Sequence, residues 1–285
     1  MKVVPHVIPY QGSKRKLAND ILENIKGFKI DTFYEPFAGS AAVTLAAAAR
    51  QSANKYIIGD KYTQLMELWG LIINSPADVS IRYSKLWHEQ LEEPNEYFLK
   101  VRSDFNKDND PVKLLYLMAR CVKNAIRFNN SGEFNQSQDK RRLGTKPEKI
   151  HQNLLMVSNL LKDQVELFSG DFRLLTQQAT TNDLVYMDPP WQGTSTKKDP
   201  RYAYILDLNS LIDEMENMNI KGVPYILSFD GVCGDKSYGN ELPDSLQLKK
   251  IMLSAGRSSQ ATLLGRDDST FESLYLSPAL LKKMS

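Results

Sequence analysis

The sequence predicts an α/β protein on a Rossmann-like sheet, mixed but mostly parallel and seven-stranded, interrupted by a mainly helical insert. Three observations carry this. Short apolar runs alternate with amphipathic segments from residue 32 to 74 and again from 165 onward. Between them, from Pro76 to Asp163, the alternation stops and the pattern is helical only. Several of the apolar runs close on an acid or lead to a glycine, as strands of an open α/β sheet do where they face a ligand crevice.

The first strand, TFYEPF, runs through Phe37 and Ala38 to Gly39, Ser40 and an alanine-rich helix from Ala41 to Gln51. A strand, a glycine and a helix in that order form a turn against which a nucleotide-like ligand can lie, and the amides of the helix favour an anion. The glycines do not follow G-x-G-x-x-G, so a dinucleotide, and with it a dehydrogenase, is not indicated. KYIIGD ends on Asp60, a carboxylate placed to accept from ribose hydroxyls, and a helix over Thr63 to Asn74 follows.

The insert spans 76–163 and carries YSKLWHEQL, YFLKVRSDF and VKLLYLMARCVKNAIRF as helical segments. Within it, RFNNSGEFNQ places Asn, Ser and Gly between aromatic residues, a turn signal for a hairpin near 128–140. The pattern of strands and helices then resumes. VELFSGD ends on Asp171, before Phe172 and a helix to Gln178; DLVYMDPP precedes a helix over Leu208 to Met218; VPYILSFD, LQLKKIML and ESLYLS complete the sheet. The chain thus divides into a first catalytic part (1–75), the insert (76–163) and a second catalytic part (164–285).

Composition bounds the function. The chain has 285 residues, 42% hydrophobic and 25% charged, enough for a full core and ordinary for a soluble protein. Two cysteines lie far apart with no ligand spacing, so neither a disulfide framework nor a metal centre is expected. MKVVPHVIPY lacks a signal-peptide core, and the run AAVTLAAAA is too short for a bilayer, so the expectation is a cytoplasmic protein that does not enter a membrane. A net charge of +2 says little, but basic residues cluster at Lys14–Lys16 and again at Lys140, Arg141, Arg142, Lys146 and Lys149.

The stretch LVYMDPPWQGT concentrates the chemistry. A buried parallel strand ends on Asp188, in the crevice where the cofactor strands also end. Pro189 and Pro190 lack backbone donors and leave carbonyls as acceptors, while Trp191 offers a flat ring for stacking. Acceptors around an amino group, with a ring beneath it, suit an exocyclic amine. The simpler account of each feature is structural: strand-end acids are often helix caps, basic clusters are often solvated surface, and a tryptophan is often core.

YEPFAGSAAV, DPPW and the N-terminal PYQGSKRKL, in this order around an insert, resemble the DNA adenine N6-methyltransferases of the Dam-like class. The resemblance covers most of the chain, and PYQGSKRKL together with DPPW is its most specific part. It implies S-adenosylmethionine as cofactor and double-stranded DNA as substrate. Tyr10, Lys14, Ala38 and Ser40 are then cofactor contacts, and Glu35, Phe37 and Gly39 line the methionine end. Asp60 takes the ribose and Asp171 the adenine, Phe172 is a further cofactor contact, and Asp188 faces both cofactor and target. Asp188, Pro189, Pro190 and Trp191 form the catalytic motif. Ser131 to Asn135 resembles a hairpin held against DNA, with Ser131 in its DNA-binding turn, Arg127, Asn129, Asn130 and Asn135 toward bases and Lys140, Arg141 and Arg142 toward phosphates. The chain departs from the family at Ala41, where a second glycine is usual, and at Trp191, where tyrosine is more common. The same motif serves cytosine N4 or RNA adenine methylation, or a silent DNA-binding relative. A cognate restriction endonuclease is a further partner that the resemblance admits; oligomeric state is left open.

Overall fold

The computed structural model describes residues 4–190, 206–233, 236–238, 242–257 and 269–284. Among the described residues eight strands form one sheet: β1 (Ile30–Glu35), β2 (Ala53–Asp60), β3 (Val165–Ser169), β4 (Leu184–Met187), β5 (Tyr225–Cys233), β6 (Lys236–Tyr238), β7 (Lys249–Arg257) and β8 (Ser269–Leu276). Seven run in the continuous order β3-β2-β1-β4-β5-β8-β7, and β6 pairs with β5 off that path. From β3 through β5 every pairing is parallel, whereas β8 is antiparallel to both β5 and β7. All four residues of β4 are buried, as a strand covered on both faces requires.

The chain leaves β1 for β2 and β3 on one side and comes back at β4 on the other. That reversal opens a crevice above the carboxyl ends of β1 and β4, where doubly wound sheets take their ligands. Helices cover both faces. On one side, α1 (Ala18–Glu23), α2 (Ala42–Arg50) and α3 (Thr63–Asn74) build a large core with Phe33, Tyr56 and Trp69. That core runs without a break into the insert helices α4 (Pro76–Glu89), α5 (Pro94–Asp108), α6 (Pro111–Arg120) and α7 (Pro147–Leu161). On the other side, α8 (Phe172–Thr176) and α9 (Leu208–Lys221) pack on Tyr34, Met187 and Tyr225. A final helix, α10 (Pro278–Met284), follows β8.

Several boundaries differ from the sequence pattern, each for a local reason. β1 ends at Glu35 rather than Phe37, because Pro36 has no N–H to donate. The run VKLLYLMARCVKNAIRF is not one helix: α6 stops at Arg120, and Lys123 and Asn124 take left-handed conformations (φ 59° and 54°) that a helix cannot continue through. The eighth strand β6 and the helices α1 and α10 are additions that the pattern did not signal. The six and seven residues of these two helices are too few for a periodic face to stand out.

Beyond α6 the chain reverses between two isolated antiparallel bridges, Cys121–Gln138 and Phe128–Phe134. The tip is organised by Asn129, whose Oδ1 accepts from the N–H groups of Ser131 and Glu133, with Gly132 at φ 78°. The base is pinned by Arg120, fully buried, whose guanidinium donates to the carbonyls of Pro94 and Asp139 at 3.1 Å each.

Candidate active site

A cavity of about 450 Å³ lies over the switch point. It is walled by the N-terminal turn 10–14, by the residues that follow β1, β2, β3 and β4, and by the start of α9 and one residue of β8. Residues far apart in sequence meet here because all five parallel strands end on the same side.

The turn after β1 is the most constrained part. Gly39 (φ 47°) and Ala41 (φ 47°) both sit in the left-handed region. At Gly39 the conformation is tolerable and also necessary, since a Cβ there would come within 3.0 Å of the Tyr10 ring. Ala41 carries the cost that a second glycine would avoid. The turn is held from three directions: the Gly39 N–H donates to Asp60 Oδ2 at 3.1 Å, the Trp69 indole N–H donates to the Gly39 carbonyl at 3.1 Å, and the Ser13 and Ser40 hydroxyls meet at 2.7 Å. Asp60 also accepts from the Tyr62 N–H at 3.0 Å; burial pushes its carboxyl up, and these amides pull it back. Asp60 is therefore a brace as well as a cavity wall.

The amides at the start of α2 were expected to receive an anionic ligand group. They receive the chain's own Glu35: its Oε2 accepts from the Thr44 N–H at 2.8 Å and from the Thr44 hydroxyl. A pyrophosphate would have to displace it, which agrees with the missing dinucleotide fingerprint. Burial raises the Glu35 carboxyl to about 8, against the pull of Thr44 and with a push from Asp188. The folded protein thus keeps a proton that the unfolded chain begins to lose near 4.5. Stability from this group is full below that pH and is lost as pH rises toward 8. Glu35→Gln, which keeps the acceptor for Thr44 and removes the titration, is expected to flatten the fall in melting temperature between about pH 5 and 8. An unchanged slope in melts across that range would place the titration elsewhere.

After β3, Asp171 caps α8, accepting from the Arg173 N–H at 3.1 Å, and its carboxylate is gripped by the Arg173 guanidinium at 2.8 and 3.0 Å, which holds it below the usual range. Phe172 and Phe37 form an aromatic wall with ring centres 5.0 Å apart. After β4, Asp188 Oδ1 pairs with Lys14 Nζ at 2.8 Å. Burial raises the Asp188 carboxyl to about 6, Lys14 pulls it down and Glu272 pushes it up. Lys14 is buried (7% exposed) and its ammonium also lies 3.4 Å from Glu272 Oε2. Pro189 and Pro190 line the cavity beside Asp188, and Trp191 lies outside the described residues.

The structure brings Tyr10, Lys14, Glu35, Phe37, Ala38, Gly39, Ser40, Asp60, Asp171, Phe172, Asp188, Pro189 and Pro190 to this one cavity. The insert residues are elsewhere. Asn130, Ser131 and Asn135 are exposed around the tip, Arg127 and Asn129 are half-buried, and the Asn129 side chain is spent on the turn. Arg141 and Arg142 both grip Asp139, with Nε atoms 2.9 and 3.2 Å from its carboxylate, and Arg142 also donates to the Cys121 carbonyl at 3.0 Å; Lys140 is exposed. Sequence reasoning missed Trp69, Asp207 and Glu272. Asp207 caps α9, accepting from Ser210 at 3.2 Å, and its D-x-x-S spacing before an apolar run was a legible cap signal; the other two carried none.

The base of the reversal closes one wall of the cavity. Ile126 lines it, Phe128 packs edge-on to Tyr62 with ring centres 5.2 Å apart, and the Gln11 N–H donates to the Asn124 carbonyl at 3.1 Å. Among the described residues, no helix is long and apolar enough to cross a membrane, and no cluster of three or more His, Cys, Asp or Glu is placed to hold a metal ion.

Comparison with known proteins agrees with this geometry. Residues 10–252 match the profile of the D12 class N6 adenine-specific DNA methyltransferase family. The chain is 32% identical over 209 residues to the type II methyltransferase M.MjaIII of Methanocaldococcus jannaschii, covering 67% of this chain and 70% of that protein. It is 29% identical over 242 residues to the type II methyltransferase M.FokI of Planomicrobium okeanokoites, covering 82% of this chain but only 36% of that longer protein. It is also 24% identical over 264 residues to the retron Ec67 DNA adenine methylase of Escherichia coli, covering 90% of this chain and 88% of that protein.

Proposed function

Because the chain belongs to the D12 class of N6 adenine-specific DNA methyltransferases, we propose that it transfers a methyl group from S-adenosylmethionine to N6 of an adenine extruded from duplex DNA. One observation carries the reading: a carboxylate, Asp188, stands at the sheet's switch point beside two prolines, held by a buried lysine in a cavity of cofactor size.

The residues present fit that cofactor. The buried Glu35 carboxyl, raised by burial, favours a ligand that brings positive charge, and the cofactor carries a sulfonium and an ammonium group. The Phe37–Phe172 wall suits its adenine, and Asp60 retains lone pairs for ribose hydroxyls beyond the two amides it already serves. When bound, it supplies a methyl group already activated on sulfur.

What remains for the protein is position and electrostatics. The adenine amine is a poor nucleophile because its lone pair is delocalised into the ring. With Oδ1 engaged by Lys14, we assign Asp188 Oδ2 and the Pro189 carbonyl as acceptors from the amine, which localises that lone pair on nitrogen. Extruding the base costs a few kcal/mol, which these bonds and stacking on Trp191 offset.

The deciding experiment is transfer of labelled methyl groups to duplex DNA, followed by digestion to nucleosides. Label in N6-methyldeoxyadenosine is the expected result. Label in cytosine, label in RNA alone, or no transfer by a folded, DNA-binding protein would each overturn the reading. Two of the similar proteins are named type II methyltransferases, so we also propose that the modified site is one cut by a cognate endonuclease.

We assign 76–163 to reading DNA, with the tip around Asn130 toward bases and the basic flank toward phosphates. The structure sharpens the test of the flank. Arg142 anchors the Cys121 carbonyl, so its loss also loosens the loop; Arg141 lacks that anchor but pairs with Asp139, and Lys140 is the cleanest report on phosphate. Lys140→Ala with Arg141→Ala is expected to weaken binding to all duplexes and to lower the salt slope by about one unit for each phosphate no longer neutralised. Arg127→Ala or Asn130→Ala is expected instead to narrow the gap between cognate and scrambled duplexes. Unchanged slope and unchanged gap in salt titrations would return the segment to plain surface.

A further inference from the structure

The ion pair at Asp188 continues to a third group that the roles above leave unused. Glu272 lies on β8 and faces the same side of the sheet as the buried Leu274 and Leu276, where an apolar residue would pack at no electrostatic cost. It lines the cavity, its Oε2 stands 3.4 Å from Lys14 Nζ, and among the described residues no donor meets that buried oxygen in hydrogen-bond geometry. One buried lysine thus serves two carboxylates that come from different strands, Asp188 following β4 and Glu272 on β8. The two pairings around one ammonium, at 2.8 and 3.4 Å, compete, so each carboxylate limits how fully the lysine can engage the other.

We propose that Glu272 is a positioning residue for methyl transfer: it shares Lys14 with Asp188, so that the lysine orients the Asp188 carboxylate without cancelling its strength as an acceptor for the target amine. This rests on the reading above, in which Asp188 receives that amine. The groups facing Asp188 are Lys14 from the N-terminal turn, Glu272 from β8, Glu35 from the end of β1 and Tyr186 one turn of pleat below on β4. Of these, Glu272 opposes Lys14: it pushes the Asp188 carboxyl up where Lys14 pulls it down. Removing its charge leaves burial alone to oppose the pull of Lys14.

The test is single-turnover methyl transfer to duplex DNA between pH 5 and 9 with E272Q. Its acid limb is expected to move to lower pH by about half a unit or more. Its plateau rate is expected to fall about tenfold, with cofactor affinity by calorimetry within about twofold of the parent. Glu272 acts through Lys14, so E272Q added to K14M is expected to cost nothing further. An unmoved profile with a parental plateau overturns the proposal, as does a double variant whose loss is the product of the two single losses. Should E272Q melt out, E272D serves in its place: it keeps the charge but draws it back from Lys14, and is expected to hold the acid limb near the parent's with an intermediate plateau. A parental plateau in E272D then overturns the proposal. If Asp188→Ala retains the parental rate, the reading of the site has failed. If that variant is dead and E272Q behaves as the parent, only the role of Glu272 has.

Discussion

Replacing Asp188 by alanine is expected to lower the single-turnover rate of methyl transfer by about 10²–10³-fold, the range seen when a preorganised electrostatic partner of a reacting group is removed. Cofactor affinity should stay within a few-fold, because the aromatic wall, Asp60 and the Gly39 turn are untouched. The loss has two sources. The amine loses its acceptor, and Lys14 loses the partner at 2.8 Å that fixes it, while Glu272 stays 3.4 Å away. Asp188→Asn retains one acceptor oxygen but cannot pair with Lys14 as an ion, and should fall between. A rapid-quench measurement that finds Asp188→Ala within a few-fold of the parent would remove this residue from the chemistry.

Asp60→Ala is expected to have the next largest effect, and to act on two quantities at once. Two amides, at Gly39 and Tyr62, lose a charged acceptor, and an unpaired buried donor costs about 1–3 kcal/mol, so the melting temperature should fall by several degrees. The Gly39 turn loosens, and the ribose acceptor disappears with it, so the cofactor dissociation constant should rise about 10- to 100-fold. Calorimetry and melting together separate the roles. A lower melting temperature with unchanged affinity would make Asp60 a brace alone.

Most of the parallel sheet was legible because a strand buried on both faces writes itself as an unbroken apolar run, as in LVYM, and because a carboxylate or glycine then marks where it stops. The cavity's walls after β1, β2, β3 and β4 were legible for the same reason. What was hidden depends on contacts between distant segments. Nothing near Trp69 announces that its indole will reach the Gly39 carbonyl, and Glu272 in TFESLYL reads as one polar residue in an alternating strand. Lys14 was expected to touch the cofactor, and its pairing with Asp188 required knowing which strand would stand beside the N-terminal turn. Glu35 was read as lining the methionine end; that its carboxyl would fill the start of α2 follows from the depth of its burial, which the pattern does not encode.

The position of β8 has a consequence for the order in which a newly made chain matures. It is the last of the eight strands to be synthesised, yet it lies inside the sheet, between β5 and β7, both made before it. Until it threads in, β5 and β7 each present an unpaired edge on the side that β8 will fill, and the sheet stays open there. Glu272 arrives with β8, so Lys14 must wait for the other seven strands to be made before its second carboxylate exists. Contacts of such sequence separation form slowly. The arrangement of Lys14 between two carboxylates is therefore complete only once one strand has inserted.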